Sequence, residues 1–258
     1  MHGIAVHGLS KRYGRITAVD DLTFTLETGR VTGFVGRNGA GKTTTLRMVL
    51  GLTRPSAGTA TIDGRPYAEL RDPLRRVGAL IEPNCFHPGR TGRNALRAIA
   101  RLTRIPTGRV DEVLDLVDLT GAAGRRVGGY SLGMRQRLAL AAALLGDPGT
   151  LVLDEPANGL DPDGVRWLRS LIRGLGAQGR SVLVSSHLLA ELAQTVDDVI
   201  VIERGRLVAY DSVATLAGSG GLNSGGLGSA SSGADGAERA ESLEDVFLRL
   251  TANAKEQS

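Results

Sequence analysis

The 258-residue sequence predicts an α/β fold, a mostly parallel sheet with helices packed on its faces. Three observations lead there. Short apolar strands alternate with amphipathic helical stretches, the pattern of parallel strands joined by crossover helices. The apolar strand at 31–35 runs into Gly36-Arg37-Asn38-Gly39-Ala40-Gly41-Lys42-Thr43-Thr44 and then an apolar-periodic segment. A later apolar strand, at 150–153, ends on the acidic pair Asp154-Glu155.

Residues 4–9 and 22–26 read as the first strands; Leu22, Phe24 and Leu26 alternate with Thr23 and Thr25 at the period of a half-buried strand. Between them lies Lys11-Arg12-Tyr13-Gly14. Tyr13 fits two readings, an aromatic face stacked on a base or a tyrosine closing a turn. Next comes the loop at 36–44, which matches G-x-x-x-x-G-K-[ST] after a strand and at the start of a helix. Backbone N–H groups reach a polyphosphate only where the chain turns sharply without Cβ atoms in the way. Gly36, Gly39 and Gly41 provide that turn. The N–H groups left free at the first turn of the helix point at the anion, and the helix dipole adds to the attraction. Lys42 carries a full charge to the β- and γ-phosphates, and the Thr43 hydroxyl is placed for Mg²⁺. The stretch predicts nucleoside triphosphate binding.

Residues 59–62 with Asp63-Gly64 read as a hairpin turn, and 77–81 as a short strand ending at Glu82-Pro83. From there to about Gly146 the period is helical. Val110, Val113, Leu114 and Val117 share one face, as do Met134, Leu138, Ala141, Ala142 and Leu145. Asp161-Pro162 opens a helix whose apolar stripe is Val165, Leu168, Ile172 and Leu175. A strand at 182–185 leads to His187, and strands at 199–202 and 207–210 flank Arg204-Gly205 as a last hairpin. Residues 217–237 are almost all Gly, Ser and Ala and read as a flexible linker. Beyond it, in 238–258, Leu243, Val246, Phe247 and Leu250 recur at helical spacing, an amphipathic helix suited to docking on the body or on a second copy.

Composition narrows the function classes. The net charge of +4 is spread over many arginines without a basic run, which argues against a nucleic-acid partner. The one cysteine, Cys85, excludes an internal disulfide and fits a reducing compartment. The N-terminus lacks the charged and apolar regions of a secretory signal. No apolar run approaches the ~18 residues of a membrane span. A cytoplasmic chain is expected, with any membrane role supplied by a partner.

Asp154 sits where a strand end beside the phosphate loop would offer Mg²⁺ a carboxylate, and Glu155 where a base would polarise an attacking water. Ser131 stands at a helix start; it fits an ordinary N-cap and also a second anion site built with the N–H groups of 132–134. His187, beside Ser185-Ser186, fits a satisfied polar residue at a strand end or a phosphate sensor.

Together these residues resemble the ATP-binding subunit of ABC transporters over nearly the whole chain. Tyr13 matches the aromatic that stacks on adenine, and residues 36–44 match Walker A. Residues 150–155 match Walker B with its catalytic glutamate, Glu155. Tyr130-Ser131-Leu132-Gly133-Met134, followed by Arg135-Gln136-Arg137, matches the signature usually written LSGGQ. Gly159-Leu160-Asp161 matches the D-loop, and His187 the switch histidine. The resemblance implies a P-loop NTPase (RecA-like) core with an N-terminal antiparallel β subdomain and an inserted α-helical subdomain at about residues 84–146, all within an ATP-binding domain at 1–216. It also implies ATP and Mg²⁺ as ligands, with Thr43, Asp154 and Glu82 toward the metal. Lys42, Glu155 and His187 take the catalytic roles; Ser131 and Gly133 meet the nucleotide held by another copy, and Asp161 of the D-loop counts among the nucleotide-binding residues. The implied unit is a head-to-tail homodimer working with a separate transmembrane permease, peripheral on the inner face of the membrane.

The sequence departs from the family pattern at two places. Glu82 stands where a Q-loop glutamine is usual, and the signature keeps Ser131 and Gly133 but replaces one Gly by Leu132 and the Gln by Met134. Ile-Glu-Pro at 81–83, Ser-Leu-Gly-Met-Arg-Gln-Arg at 131–137, Asn-Gly-Leu-Asp-Pro at 158–162 and the tail from Ser242 resemble the bacitracin-resistance and lantibiotic-immunity type of exporter ATPase. Export of an antibiotic, peptide or similar compound is therefore expected. The alternative is a soluble ABC ATPase of translation or DNA repair, disfavoured because such proteins usually carry two cassettes or a long coiled-coil insertion. A GTPase is weaker still, since no Asn-Lys-x-Asp motif is present. If Glu82 approaches the metal, Glu82→Gln should alter nucleotide affinity or transport-coupled ATPase; equal values for both, by nucleotide titration and phosphate release, would discard a role at the metal.

Overall fold

The computed structural model describes residues 3–83, 85–188 and 192–218. The expected terminal helix and most of the expected linker lie outside the described residues. Ala217 and Gly218 belong instead to a short helix, Val213–Gly218, that follows the last strand.

The described residues build two sheets. The first is antiparallel, in the order β2 (Ile16–Thr25), β1 (Ile4–Tyr13), β4 (Ala57–Ile62). Leu22 and Phe24 are buried while Thr23 and Thr25 are exposed, as the alternation predicts. Both opening strands are longer than their apolar runs, and Tyr13 pairs with Ile16 at the end of the ladder. Backbone pairing continues beyond the residues that need burial, so hydropathy alone underestimates the strands. After β4, Asp63 (φ 52°) and Gly64 (φ 77°) form a two-residue turn with left-handed backbone at both positions. It closes on a single bridge, Ile62 to Arg65, rather than on a full hairpin.

The second sheet runs in the order β5 (Val77–Leu80), β6 (Thr150–Leu153), β7 (Ser181–Ser186), β3 (Val31–Val35), β8 (Asp198–Glu203), β9 (Arg206–Ser212). Its first five strands are parallel and β9 is antiparallel to β8. Parallel sheets are buried on both faces, which is why these strands read as unbroken apolar runs. Side chains nonetheless sort by parity. Val35, Leu151, Leu153, Val182, Val184, Val199 and Val201 face one core, and Phe34, Val152, Leu183, Ile200 and Ile202 face the other. Burying each such side chain contributes about 1.5–3 kcal/mol.

The first core is covered by α3 (Gly92–Leu102), α4 (Arg109–Leu116), α5 (Leu132–Leu144) and α6 (Pro162–Ala177). The second is covered by α1 (Lys42–Val49) and the antiparallel sheet. Val110, Val113, Leu114 and Val117 are all fully buried, and so are Leu138, Ala141 and Leu145, as the helical stripes predict. A short α2 (Pro73–Arg76) leads into β5.

The helical insert is bolted to the sheet at one close approach. A Cβ at Gly78 would lie 2.1 Å from the Ala143 carbonyl oxygen and 2.8 Å from Leu151 Cδ2, so β5 can meet α5 only with glycine there. Gly78→Ala should therefore destabilise the fold by about 1–3 kcal/mol, read as a lower thermal midpoint by circular dichroism; an unchanged midpoint would refute the contact.

Candidate active site

In β6, β7 and β3, three neighbouring parallel strands, the carboxyl ends lie along one edge. β3 ends in the glycine-rich loop, β6 in Asp154-Glu155, and β7 at Ser186 before His187. Open α/β sheets bind ligands at that edge.

The loop's three glycines serve different needs. Gly39 (φ 83°) and Gly41 (φ 102°) occupy left-handed backbone. Gly36 does not; a Cβ there would lie 2.5 Å from the Ile202 carbonyl oxygen, so packing against β8 demands its size. Asn38, Gly39, Gly41, Lys42, Thr43 and Thr44 line the cleft. Gly36, Arg37 and Ala40 do not line it. The carbonyl oxygens of Gly36 and Arg37 accept from Lys42 Nζ at 2.6 and 3.4 Å. Ala40 accepts the Gly205 N–H at 2.9 Å, stapling the loop to the β8–β9 turn. The bonding of α1 begins at Thr45 N–H to the Gly41 carbonyl, 2.9 Å. The earlier N–H groups of the helix have no acceptor within it, and they face the side on which an anion is favoured.

Opposite the loop stand the two acids. Asp154 is buried and accepts Thr43 Oγ1–H at Oδ2 and Ser185 Oγ–H at Oδ1, each at 2.6 Å. Ser185 Oγ also accepts the Glu155 N–H at 2.9 Å. The Glu155 carboxylate lies between two nitrogens, 3.2 Å from Lys42 Nζ and 2.9 Å from His187 Nδ1. Its backbone is left-handed at φ 46°, uncommon for a residue with a side chain. The donor set fits the group that the loop implies. Hard oxygens of Thr43 and Asp154 meet where Mg²⁺ would sit, and a lysine and free amides face a polyphosphate.

Other expected residues fall elsewhere. The Glu82 side chain is two-thirds exposed and pairs with Arg47, which projects from α1 one turn past Thr43. It is not brought to Thr43 and Asp154. A guanidinium offers a carboxylate a better partner than a site that already holds one acid. Tyr13 is half exposed, with Lys11 Nζ 4.9 Å from its ring centroid, and it does not line the cleft. Ser131 caps α5 and Asp161 caps α6, accepting the Met134 and Gly164 N–H groups at 3.2 and 2.8 Å. Neither lines the cleft of its own chain. Because the Met134 N–H is taken by Ser131, any anion at this helix start meets the N–H groups of Leu132 and Gly133, one fewer than expected. Gly133 lies against the Gly159 carbonyl oxygen, 3.3 Å from where its Cβ would be. In the signature position usually held by leucine, Tyr130 is buried and donates its hydroxyl to the Ala122 carbonyl at 2.8 Å; burial pushes the phenol's pKa up.

Three contributors were missed in the sequence. Ser185, buried between both acids, was visible only as part of a Ser-Ser pair. Asn158 lines the cleft and was visible as a neighbour of Gly159. Ala18 also lines it and carries no chemical signal at all.

The family model for ABC transporters matches residues 19–158. Among curated proteins, bacitracin transport ATP-binding protein BcrA of Bacillus licheniformis is 43% identical over 203 residues, covering 78% of this chain. The chain spans 66% of that relative's length. The Enterococcus faecalis protein of the same name is 37% identical over 216 residues, 83% of this chain and 70% of that one. A solved ATP-binding subunit of an ABC transporter superposes with a TM-score of 0.81 at 25% identity, covering 96% of this chain and 99% of that one.

Removing the Ser185 hydroxyl strands a buried carboxylate oxygen and the Glu155 N–H. Ser185→Ala should destabilise the protein by about 1–3 kcal/mol in chemical denaturation. A stability equal to wild type would show that Ser185 bears no part of the acid pair.

Proposed function

The chain belongs to the ABC transporter family, and from that premise we propose that it is the ATP-binding and ATP-hydrolysing subunit of a bacterial exporter. One observation carries the reading. The cleft holds lysine, hydroxyl, acid and base on one side, while the second helix start, at Ser131, stands outside it in the same chain. Two copies arranged head to tail would each complete the other's cleft, with two nucleotides at the interface.

In this reading the loop amides and Lys42 hold the β- and γ-phosphates, and Thr43 and Asp154 hold Mg²⁺. The metal, when bound, neutralises charge on the phosphate oxygens. Glu155 takes a proton from water as the water's oxygen bonds to the γ-phosphorus; the bond to the bridging oxygen breaks and ADP leaves. His187, 2.9 Å from Glu155, orients that base and senses the γ-phosphate. The Lys42–Glu155 contact of 3.2 Å places base and phosphate-binding cation side by side.

No helix among the described residues is long and apolar enough to cross a membrane. In this reading a separate permease subunit forms the transport path. The relatives named for bacitracin transport support export of an antibiotic or peptide, with this subunit peripheral on the inner face of the membrane. The surface facing the permease is proposed to lie near 82–104.

Glu155→Gln should bind Mg·ATP, lose nearly all hydrolysis, and shift from monomer to dimer in light scattering as ATP saturates it. Removal of a general base lowers rate by about 10²–10⁴-fold. A variant that turns over like wild type would end the base assignment, and one that stays monomeric with saturating Mg·ATP, alone and with its permease, would end the paired-cleft reading.

A further inference from the structure

We infer that Gln136, on α5, is a positioning residue that sets the orientation of Glu155; the inference rests on the ATPase reading above. Gln136 is 4% exposed, and its amide Nε2 donates to the Pro156 carbonyl at 2.9 Å and reaches the Glu155 carbonyl at 3.5 Å. The Glu155 peptide is thus held from two sides. Ser185 on the sheet takes its N–H, and Gln136 on the helix approaches its C=O. Between these holds the backbone adopts φ 46°, a conformation that persists only where the surroundings over-determine it.

The same helix grips the far end of this segment. Leu132 packs on the bare Cα of Gly159; a Cβ there would lie 2.3 Å from Leu132 Cδ2. Residues 132 and 136 are one turn apart, so one edge of α5 spans the chain from Glu155 to Gly159. Glutamine suits the task. Its NH₂ group offers two donors to two carbonyls, and being neutral it is buried without the penalty of a charge. A shift of α5 is transmitted through this amide to the carboxylate that stands 3.2 Å from Lys42 and 2.9 Å from His187. The start of α5 is the edge offered to the partner's nucleotide, so the state of one cleft reaches the base of the other through Gln136.

The test uses the full-length protein with Mg·ATP. Q136L removes the donors at similar volume, and Q136M does so with a more compliant side chain. Misplacing a reacting group by about 1 Å costs on the order of 10²-fold, so kcat should fall by about 10–100-fold in both variants. KM, and the Kd of a fluorescent trinitrophenyl-ATP, should stay within about threefold of wild type, since the phosphate loop is untouched. Either variant with wild-type kcat overturns the inference. So does a parallel loss of kcat and nucleotide affinity, or a failure of both variants to fold, because each marks a structural role only. Absence of turnover in the wild type, with or without permease, would instead remove the ATPase reading itself.

Discussion

One carboxylate ties helix α1 to the sheet. Asp154, at the end of β6, accepts a hydroxyl from Thr43 on α1 and another from Ser185 on β7. A buried carboxylate is tolerated only when its lone pairs are met, and hydrogen bonds to an ionised acceptor are among the strong ones in a protein. Because both donors come from other elements, satisfying Asp154 fixes the first turn of α1 against two strand ends. The free amides of the loop, the ammonium of Lys42 and the carboxylate of Glu155 then share one frame. Parallel pairing through β6, β7 and β3 supplies the coarse alignment, and these two hydroxyls supply the fine one.

Much of this was legible in the residues. The loop, the acid pair and the strand alternations are local patterns whose physics acts over a few residues, and the helical stripes at 110–117 and 134–145 became core faces, with Met134 and Ala142 only partly buried. What escaped was set by tertiary contact. Glu82 meets Arg47 because α1 brings it there; spacing holds no record of that pair. Tyr13 fits in sequence an aromatic stacked on a base or a tyrosine closing a turn, and spacing holds no record of the ladder pairing that carries β1 through it. The need for glycine at position 36 comes from Ile202, on a strand far along the chain. Ser185 and Gln136 carry ordinary residue types whose importance arises only from burial beside the Glu155 peptide.

Two signature positions, Tyr130 where leucine is usual and Leu132 where glycine is usual, find a structural explanation within the same chain. Tyr130 fits against Gly92, where a Cβ would lie 2.3 Å from its hydroxyl oxygen, and Leu132 fits the notch at Gly159. Each large side chain is matched by an absent one. The signature helix is thereby joined to the first helix of the insert and to the segment after Glu155, so that its bulkier sequence gains packing in cis while Ser131 and Gly133 stay small at the helix start.

The left-handed backbone at Glu155 has a wider meaning. Such a conformation costs on the order of 1–3 kcal/mol, a sizeable share of the 5–15 kcal/mol that holds a typical domain folded. A glycine would relieve it and a glutamate does not, so the molecule is less robust than its own chain would permit. That deficit sits at the residue proposed to activate water, and it marks a trade in which durability is given up for reactivity.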